Sequence, residues 1–407
     1  MLLHLRLIIL FAFVIFVSMI TDTINAQETF TLKQILSAAK ENNPRMVKTR
    51  KDVEAAKARL ITAGTYPNPE IDFATGNFQD VLNNLEFGIG QEFDLFGKIG
   101  MREAIAEADI SLANEELAIA WSEIALEIKG AYYDLLLMEK KNVLAQENLD
   151  IFRKFVDSVQ IKYNSGSILL NEVARAKIEL SQAENEYFLS DKVLRASKIR
   201  FNLMVNKPVS FEFTLSDALV FEQRIFEYKE LTQKALVNNP ELKIKLALVK
   251  RNNKEIELAQ KEVFSNPKFG LTGKHEAGVL SIGAGLSIVL PFWNQNTGAI
   301  KEVELTSEKN NLDIEYIKKQ IEAAVYESCL EAEYTAKLVV NYKKSIEQSI
   351  GIQSQINLQY KEGKTDFLTY LDSLRTVKSV KFGYHEAVVN YNKKIALIKK
   401  LTEPGLE

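Results

Sequence analysis

The chain repeats itself. Asn42-Asn43-Pro44 returns as Asn238-Asn239-Pro240, Tyr66-Pro67-Asn68-Pro69 as Phe264-Ser265-Asn266-Pro267, and Tyr163-Asn164-Ser165-Gly166 as Tyr360-Lys361-Glu362-Gly363. The order is kept and the offsets are 196, 198 and 197 residues. Three matches in register point to an internal duplication. A period this long is too large for a solenoid unit and describes two halves built on one plan.

Each half reads alike. Residues 27–206 form the first repeat, with helices over 31–64, strands over 69–93, a long helix over 98–164 and a helix over 167–206. A connector spans 207–230. Residues 231–407 form the second repeat, with helices over 231–264, strands over 267–290, a long helix over 297–361 and a helix over 364–402. The breaks have local causes. Proline restrains the residue before it, so the first helix of each half ends at Asn-Asn-Pro. Gly166 and Gly363 suit helix ends. The long helix over 98–164 holds no proline and only Gly100 and Gly130. Its expected length, roughly 100 Å, implies an elongated object.

Along that helix Trp121, Ile124, Ile128, Ala131, Leu135, Met138, Asn142, Ala145, Leu149, Phe152, Val156, Val159 and Tyr163 fall at alternating steps of three and four. That is a sustained heptad seam. A second apolar line, Leu126, Tyr133, Leu137, Leu144, Ile151 and Phe155, runs beside it. Two seams suit a helix with a neighbour on either side, as in a wall curved into a tube.

The extended sections alternate. Ile71, Phe73, Thr75, Leu85, Phe87 and Ile89 share one face, with Asp72, Ala74, Gly76, Glu86, Gly88 and Gly90 on the other. Ile282, Ala284, Leu286, Ile288 and Leu290 alternate with Ser281, Gly283, Gly285 and Ser287. Strands of this character match a membrane barrel; two hairpins packed on a soluble core are the plainer reading. Four strands cannot close alone, and an open edge in lipid is forbidden. Two copies give eight strands and a filled barrel; three give twelve and a bore. The fold class is mainly α with a small β part.

The leader reads as a signal peptide over 1–26, with Arg6 ahead of the apolar run Leu7 to Ile20 and cleavage after Ala26. Gln27 offers no thiol for lipidation. A net charge of −3 gives no basic bias toward nucleic acid. The single Cys329 excludes an internal disulfide, and three histidines leave little for a metal centre. Gly88-Ile89-Gly90 and Gly283-Ala284-Gly285 sit in strands and read as small or bend positions, not phosphate cradles. His275, beside Glu276, is expected in an outer loop, and Cys329 in a helix as a small buried residue. Nothing is arranged for catalysis, so the chain reads as no enzyme and without cofactor.

The ordered set resembles the TolC-type outer-membrane efflux protein family over about 31–402. Gln91-Glu92-Phe93-Asp94-Leu95-Phe96-Gly97-Lys98, followed by Met101-Arg102-Glu103-Ala104, is similar to that family's passage from strand to long helix, and Leu290-Pro291-Phe292-Trp293 resembles the second-half counterpart. The Gly97-Lys98-x-Gly100-x-Arg102 stretch is similar to the CzcC-like heavy-metal efflux branch. The resemblance implies a homotrimer with a twelve-stranded barrel in the outer membrane, a periplasmic helical tunnel and contact with outer-membrane lipid. It also implies a periplasmic membrane-fusion adaptor and an inner-membrane pump of the RND or ABC type. The function implied is the passive outer-membrane channel of a tripartite efflux system; the alternative is a periplasmic coiled-coil adaptor or scaffold outside the membrane.

The resemblance makes the region after the two Tyr-x-x-Gly turns a periplasmic aperture closed by charged and hydrogen-bonding groups. The matching region holds Tyr163, Glu172, Arg175, Tyr360, Asp366, Asp372 and Arg375. Asp372 matches an acidic aperture position, and Thr369 stands where relatives carry another acid. The bland reading makes Asp366 a helix cap, and Glu172–Arg175 and Asp372–Arg375 exposed pairs three residues apart. Phe93, Phe96, Phe292 and Trp293 are expected as an aromatic girdle at the membrane interface, or as packing where strands become helices.

Overall fold

The computed structural model describes residues 28–75, 84–276 and 278–404. The leader and the Gly76 end of the first hairpin lie outside them. In chain order the elements are β1 (Glu28–Phe30), α1 (Leu32–Asn42), α2 (Pro44–Ala63), β2 (Glu70–Thr75), β3 (Asn84–Glu92), α3 (Lys98–Asn164), α4 (Leu170–Met204) and β4 (Phe213–Leu215). The second half follows with α5 (Tyr228–Asn238), α6 (Pro240–Lys261), β5 (Lys268–Glu276), β6 (Val279–Ser287), α7 (Thr297–Lys361) and α8 (Phe367–Thr402). No helix among the described residues is long and apolar enough to cross a membrane.

The helix boundaries have visible causes. Pro44 and Pro240 open α2 and α6, where a missing N–H is harmless. Asn43 and Asn239 cap them, accepting from the Arg45 N–H at 2.9 Å and the Leu242 N–H at 3.0 Å. α3 and α7 end in the same device. Gly166 and Gly363 both take φ of 75°, and the Ser167 and Lys364 N–H groups donate back to the Lys162 and Gln359 carbonyls at 2.9 and 2.8 Å. These are Schellman closures, for which a β-carbon would be unfavourable. α4 and α8 then start at Leu170 and Phe367, three residues later than expected, because each turn uses the intervening residues as its exit.

Residues 131–221, with 28–39 and Tyr342–Val389, form one compact unit. Its core gathers Leu149, Phe152, Phe155 and Val159 of α3, Val173, Ala176 and Ala183 of α4, Tyr360 of α7, and Phe367, Tyr370, Leu371 and Leu374 of α8. Beyond that core, β1 pairs in parallel with β4 in the register Glu28–Phe213 to Phe30–Leu215. This pair lies within the connector over 207–230, which also contains the start of α5. Three residues are too few for an alternating pattern to show in sequence. What fixes β4 is tertiary: buried Phe213 lies 5.6 Å from Phe201 and 6.4 Å from Phe30. Asn202 donates to the Phe211 carbonyl at 2.8 Å.

A latch closes the same region. The fully buried Tyr132 donates to Asp217 Oδ2 at 2.7 Å, and the Leu32 N–H donates to the same oxygen at 2.8 Å. Burial pushes the Tyr132 hydroxyl well above the usual phenol range, and the Asp217 hydrogen bond adds to that. Tyr132→Phe is expected to cost about 1 kcal/mol, read as a lower denaturant midpoint at unchanged slope. An unmoved midpoint would show that the latch contributes nothing.

Residues 40–130, 222–341 and 390 onward form the second unit. Here Arg45 reaches Glu123 and Glu127 at 3.1 Å, Lys245 meets Asp313 at 2.7 Å, and Arg251 meets Asp109 at 2.6 Å. Val53, Ala56 and Ala113 pack α2 against α3. The second unit also carries one antiparallel sheet in the order β2-β3-β5-β6. β6 stops at Ser287 because Lys268, its partner, is the first residue of β5, so Ile288–Leu290 have no strand to pair with. Of the heptad seam, Trp121, Ile124, Ile128, Leu135, Ala145, Leu149, Phe152 and Val159 are buried, and Cys329 is a buried thiol on α7.

Candidate functional site

The sheet sorts its side chains by face. Cross-strand partners point the same way, so each register row can be assigned to one side. Ile71-Ile89-Leu271-Ala284, Phe73-Phe87-Gly273-Ile282 and Thr75-Leu85-His275-Leu280 form apolar rows. Glu70-Gly90-Gly270-Gly285, Asp72-Gly88-Thr272-Gly283 and Ala74-Glu86-Lys274-Ser281 form polar ones. The apolar face is bare: Ile71 is 64 %, Phe73 73 % and Ile282 80 % exposed. Phe87 lays its ring over Gly273, where no side chain competes. His275 belongs to this face inside β5, not to an outer loop; its strand continues past the alternation visible around it.

Where strands give way to helices, Phe93 hydrogen-bonds through its N–H to the Pro267 carbonyl at 3.0 Å, and Phe96 stacks on Phe264 at 5.6 Å. Phe292 and Trp293 meet edge to face at 6.1 Å, and Trp293 is 96 % exposed. Asp94 caps α3, accepting from the Lys98 and Ile99 N–H groups at 2.9 and 2.7 Å. Burial works to raise its pKa, but those two bonds with Arg102 and Lys98 hold it below the ordinary carboxylate value. The cap is therefore in force at neutral pH and fades only as pH falls through that depressed value.

The residues beyond the two Tyr-x-x-Gly turns all lie in the first unit, but not as one cluster. Tyr360 is 7 % exposed, stacked on Tyr370 at 4.9 Å and beside Phe155 at 5.6 Å. Burial first, then Glu172 and Tyr370, pushes its hydroxyl up to about 12. Asp366 caps α8 through the Thr369 N–H at 2.9 Å and hydroxyl at 3.1 Å, bonds that hold its carboxyl below the usual range. Asp372 and Arg175 are exposed, as is Tyr163. No ion pair joins Glu172 to Arg175 among the described residues. Arg375 turns from Asp372 toward Glu179 of α4, with Nη2 at 2.8 and 2.9 Å from the two carboxylate oxygens.

That last contact belongs to a ladder that sequence reasoning missed. Lys378 of α8 pairs with Glu186 of α4, and Lys162 at the end of α3 donates to the Tyr360 carbonyl at 3.1 Å with its ammonium 4.4 Å from that ring. Partners almost one repeat apart leave no local signal. Each exposed pair is worth only about 0–1 kcal/mol alone.

Residues 35–201 match the outer membrane efflux protein family. No curated protein sequence matches the chain. Among solved structures, the chain is similar to the CmeC outer membrane channel of Campylobacter jejuni, with a TM-score of 0.75, 14 % identity, and coverage of 92 % of this chain and 86 % of that one. It is similar to the Neisseria gonorrhoeae MtrE outer membrane channel in its open state, with a TM-score of 0.75, 18 % identity, and coverage of 92 % and 89 %. CusC, described through conformational changes accompanying folding and transmembrane channel formation, gives a TM-score of 0.75 at 14 % identity over 91 % of each chain. At such identities the likeness speaks for the fold.

Proposed function

We propose that the chain, whose residues 35–201 match the outer membrane efflux protein family, is a TolC-type member of it and the exit duct of a tripartite efflux system, embedded by its sheet and extended by its helices into the periplasm. The observation that carries this reading is the two-faced sheet: bare aliphatic and aromatic rows on one side, glycine and charged rows on the other. An apolar face of that kind is stable against lipid, and a polar one against water. β2 and β6 are open edges, so copies must join edge to edge; three copies close twelve strands around a bore. The duct performs no chemistry, and a pump in the inner membrane, of the RND or ABC type, drives substrate through it by way of a periplasmic adaptor. The Gly97-Lys98-x-Gly100-x-Arg102 stretch favours a heavy-metal system. With three histidines and one cysteine in the chain, the duct itself would not select metal ions.

The mass of the purified protein in detergent, corrected for bound detergent, tests the assembly. A three-chain mass supports the shared barrel. A stable monomer that stays soluble without detergent overturns it and leaves a periplasmic scaffold as the better account.

The aperture reading joins this proposal. Asp372, exposed on α8, is the acid that would face cations at the periplasmic mouth, and Tyr163, Glu172, Arg175, Tyr360, Asp366 and Arg375 belong to the same aperture reading. Asp372→Ala channels in a planar bilayer should conduct with reduced cation preference; unchanged conductance and selectivity would sink the role. Phe93, Phe96, Phe292 and Trp293 would form the periplasmic-side girdle. Trp293 emission should then be quenched by lipids carrying interfacial quenchers, and a signal indifferent to them argues against the girdle.

A further inference from the structure

The polar face of the sheet is not uniformly charged. Among the described residues it carries the carboxylates of Glu70, Asp72, Glu86, Glu92 and Glu276 against the ammoniums of Lys268 and Lys274. Lys274 is held locally, 3.3 Å from Glu86 and 2.9 Å from Glu276. Lys268 behaves differently. It leaves β5, crosses the whole of β3 and pairs with Glu70 on β2. Its path runs over Gly90, where a β-carbon would come within 2.5 Å of the Lys268 Cε. Glycine at 90 is thus what lets the side chain pass. Asp72 and Glu92 also act electrostatically on the same ammonium.

The neighbouring rows are nearly empty. Gly90, Gly270 and Gly285 stand side by side, and Gly88 and Gly283 flank Thr272. No long side chain there separates these charges from whatever crosses the face. Within a Debye length of about 8–10 Å, an unshielded fixed charge sets the local balance of mobile ions.

We propose that Lys268 is a specificity-determining residue of the duct: by spanning β3 to Glu70 it offsets the carboxylates of the glycine rows and limits the preference for cations over anions. The inference rests on the reading above that this face lines a bore. Glu70, Asp72 and Glu92 all act on its ammonium. Removing it makes that stretch more negative by one charge per chain.

The test is reversal potential in a KCl gradient with the purified protein in a planar bilayer. Lys268→Met should raise the K+ to Cl− permeability ratio by about threefold, and Lys268→Arg should leave it near the parent value. Gly90→Ala, which displaces the lysine without removing it, should move the ratio in the direction of Lys268→Met and keeps the test open should that variant fail to assemble. A conducting Lys268→Met or Gly90→Ala channel with the parental ratio overturns the role of Lys268. A parent protein that forms no channel overturns the duct itself.

Discussion

Ile89→Arg is expected to destabilise the sheet by about 2–4 kcal/mol and to block formation of a heat-modifiable oligomer. Ile89 lies mid-strand on the bare apolar face, paired with Ile71 and Leu271, so among the described residues a guanidinium there meets no carboxylate on that face. In lipid it would have to remain charged at the depth where that is least favourable. The same residue type one register step away should behave otherwise. Thr272 sits on the polar face between Gly88 and Gly283, in the same row as Asp72 with β3 between them, so Thr272→Arg should leave stability nearly unchanged and narrow the bore instead. Urea unfolding in detergent and gel migration with and without heating read both variants. An Ile89→Arg protein as stable as its parent would remove the case for lipid on that face.

Phe155→Ala should lose about 3–5 kcal/mol from the first unit. Phe155 is 7 % exposed and stands at the centre of an aromatic group, 5.2 Å from Phe367, 5.3 Å from Tyr370, 5.6 Å from Tyr360 and 6.5 Å from Phe152. Truncation leaves a cavity shared by α3, α7 and α8, which rigid helices cannot collapse to fill. The Lys162, Arg375 and Lys378 contacts then lose the backbone that aligns them, so the turns at Gly166 and Gly363 should become sites of rapid proteolysis. Lys361→Ala, on an exposed position of the same turn, should change stability by less than about 0.5 kcal/mol. Equal effects of the two substitutions would contradict the packing account.

The mainly helical character and the two-sided strands were legible because they rest on periodicity, which each segment carries alone. A heptad seam at Trp121, Ile124 and Ile128 and alternation at Ile282, Ala284 and Leu286 need no partner to be recognised. The β1–β4 pair was not legible, since three residues present no period and Phe213 is placed by Phe30 and Phe201. His275 read as loop for a related reason: charged neighbours at 274 and 276 mask an alternation whose meaning depends on Leu85 and Leu280 across the sheet. The site divides in the same way. The sequence marked Asp366, Asp372 and Arg375 as charges after a turn, but nothing local favours Glu179 over Asp372 as the arginine's partner.

By itself, then, the sequence determined where helices break, which strand residues share a face, and that the plan occurs twice, because glycine, proline and side-chain period act within a few residues. Only the tertiary structure decided which cation meets which carboxylate. Arg375 reaching Glu179, Lys378 reaching Glu186 and Lys268 passing over Gly90 to Glu70 each join residues nearly one repeat apart. Such pairings depend on the relative register of separate elements, and weak, exposed charges follow that register rather than set it.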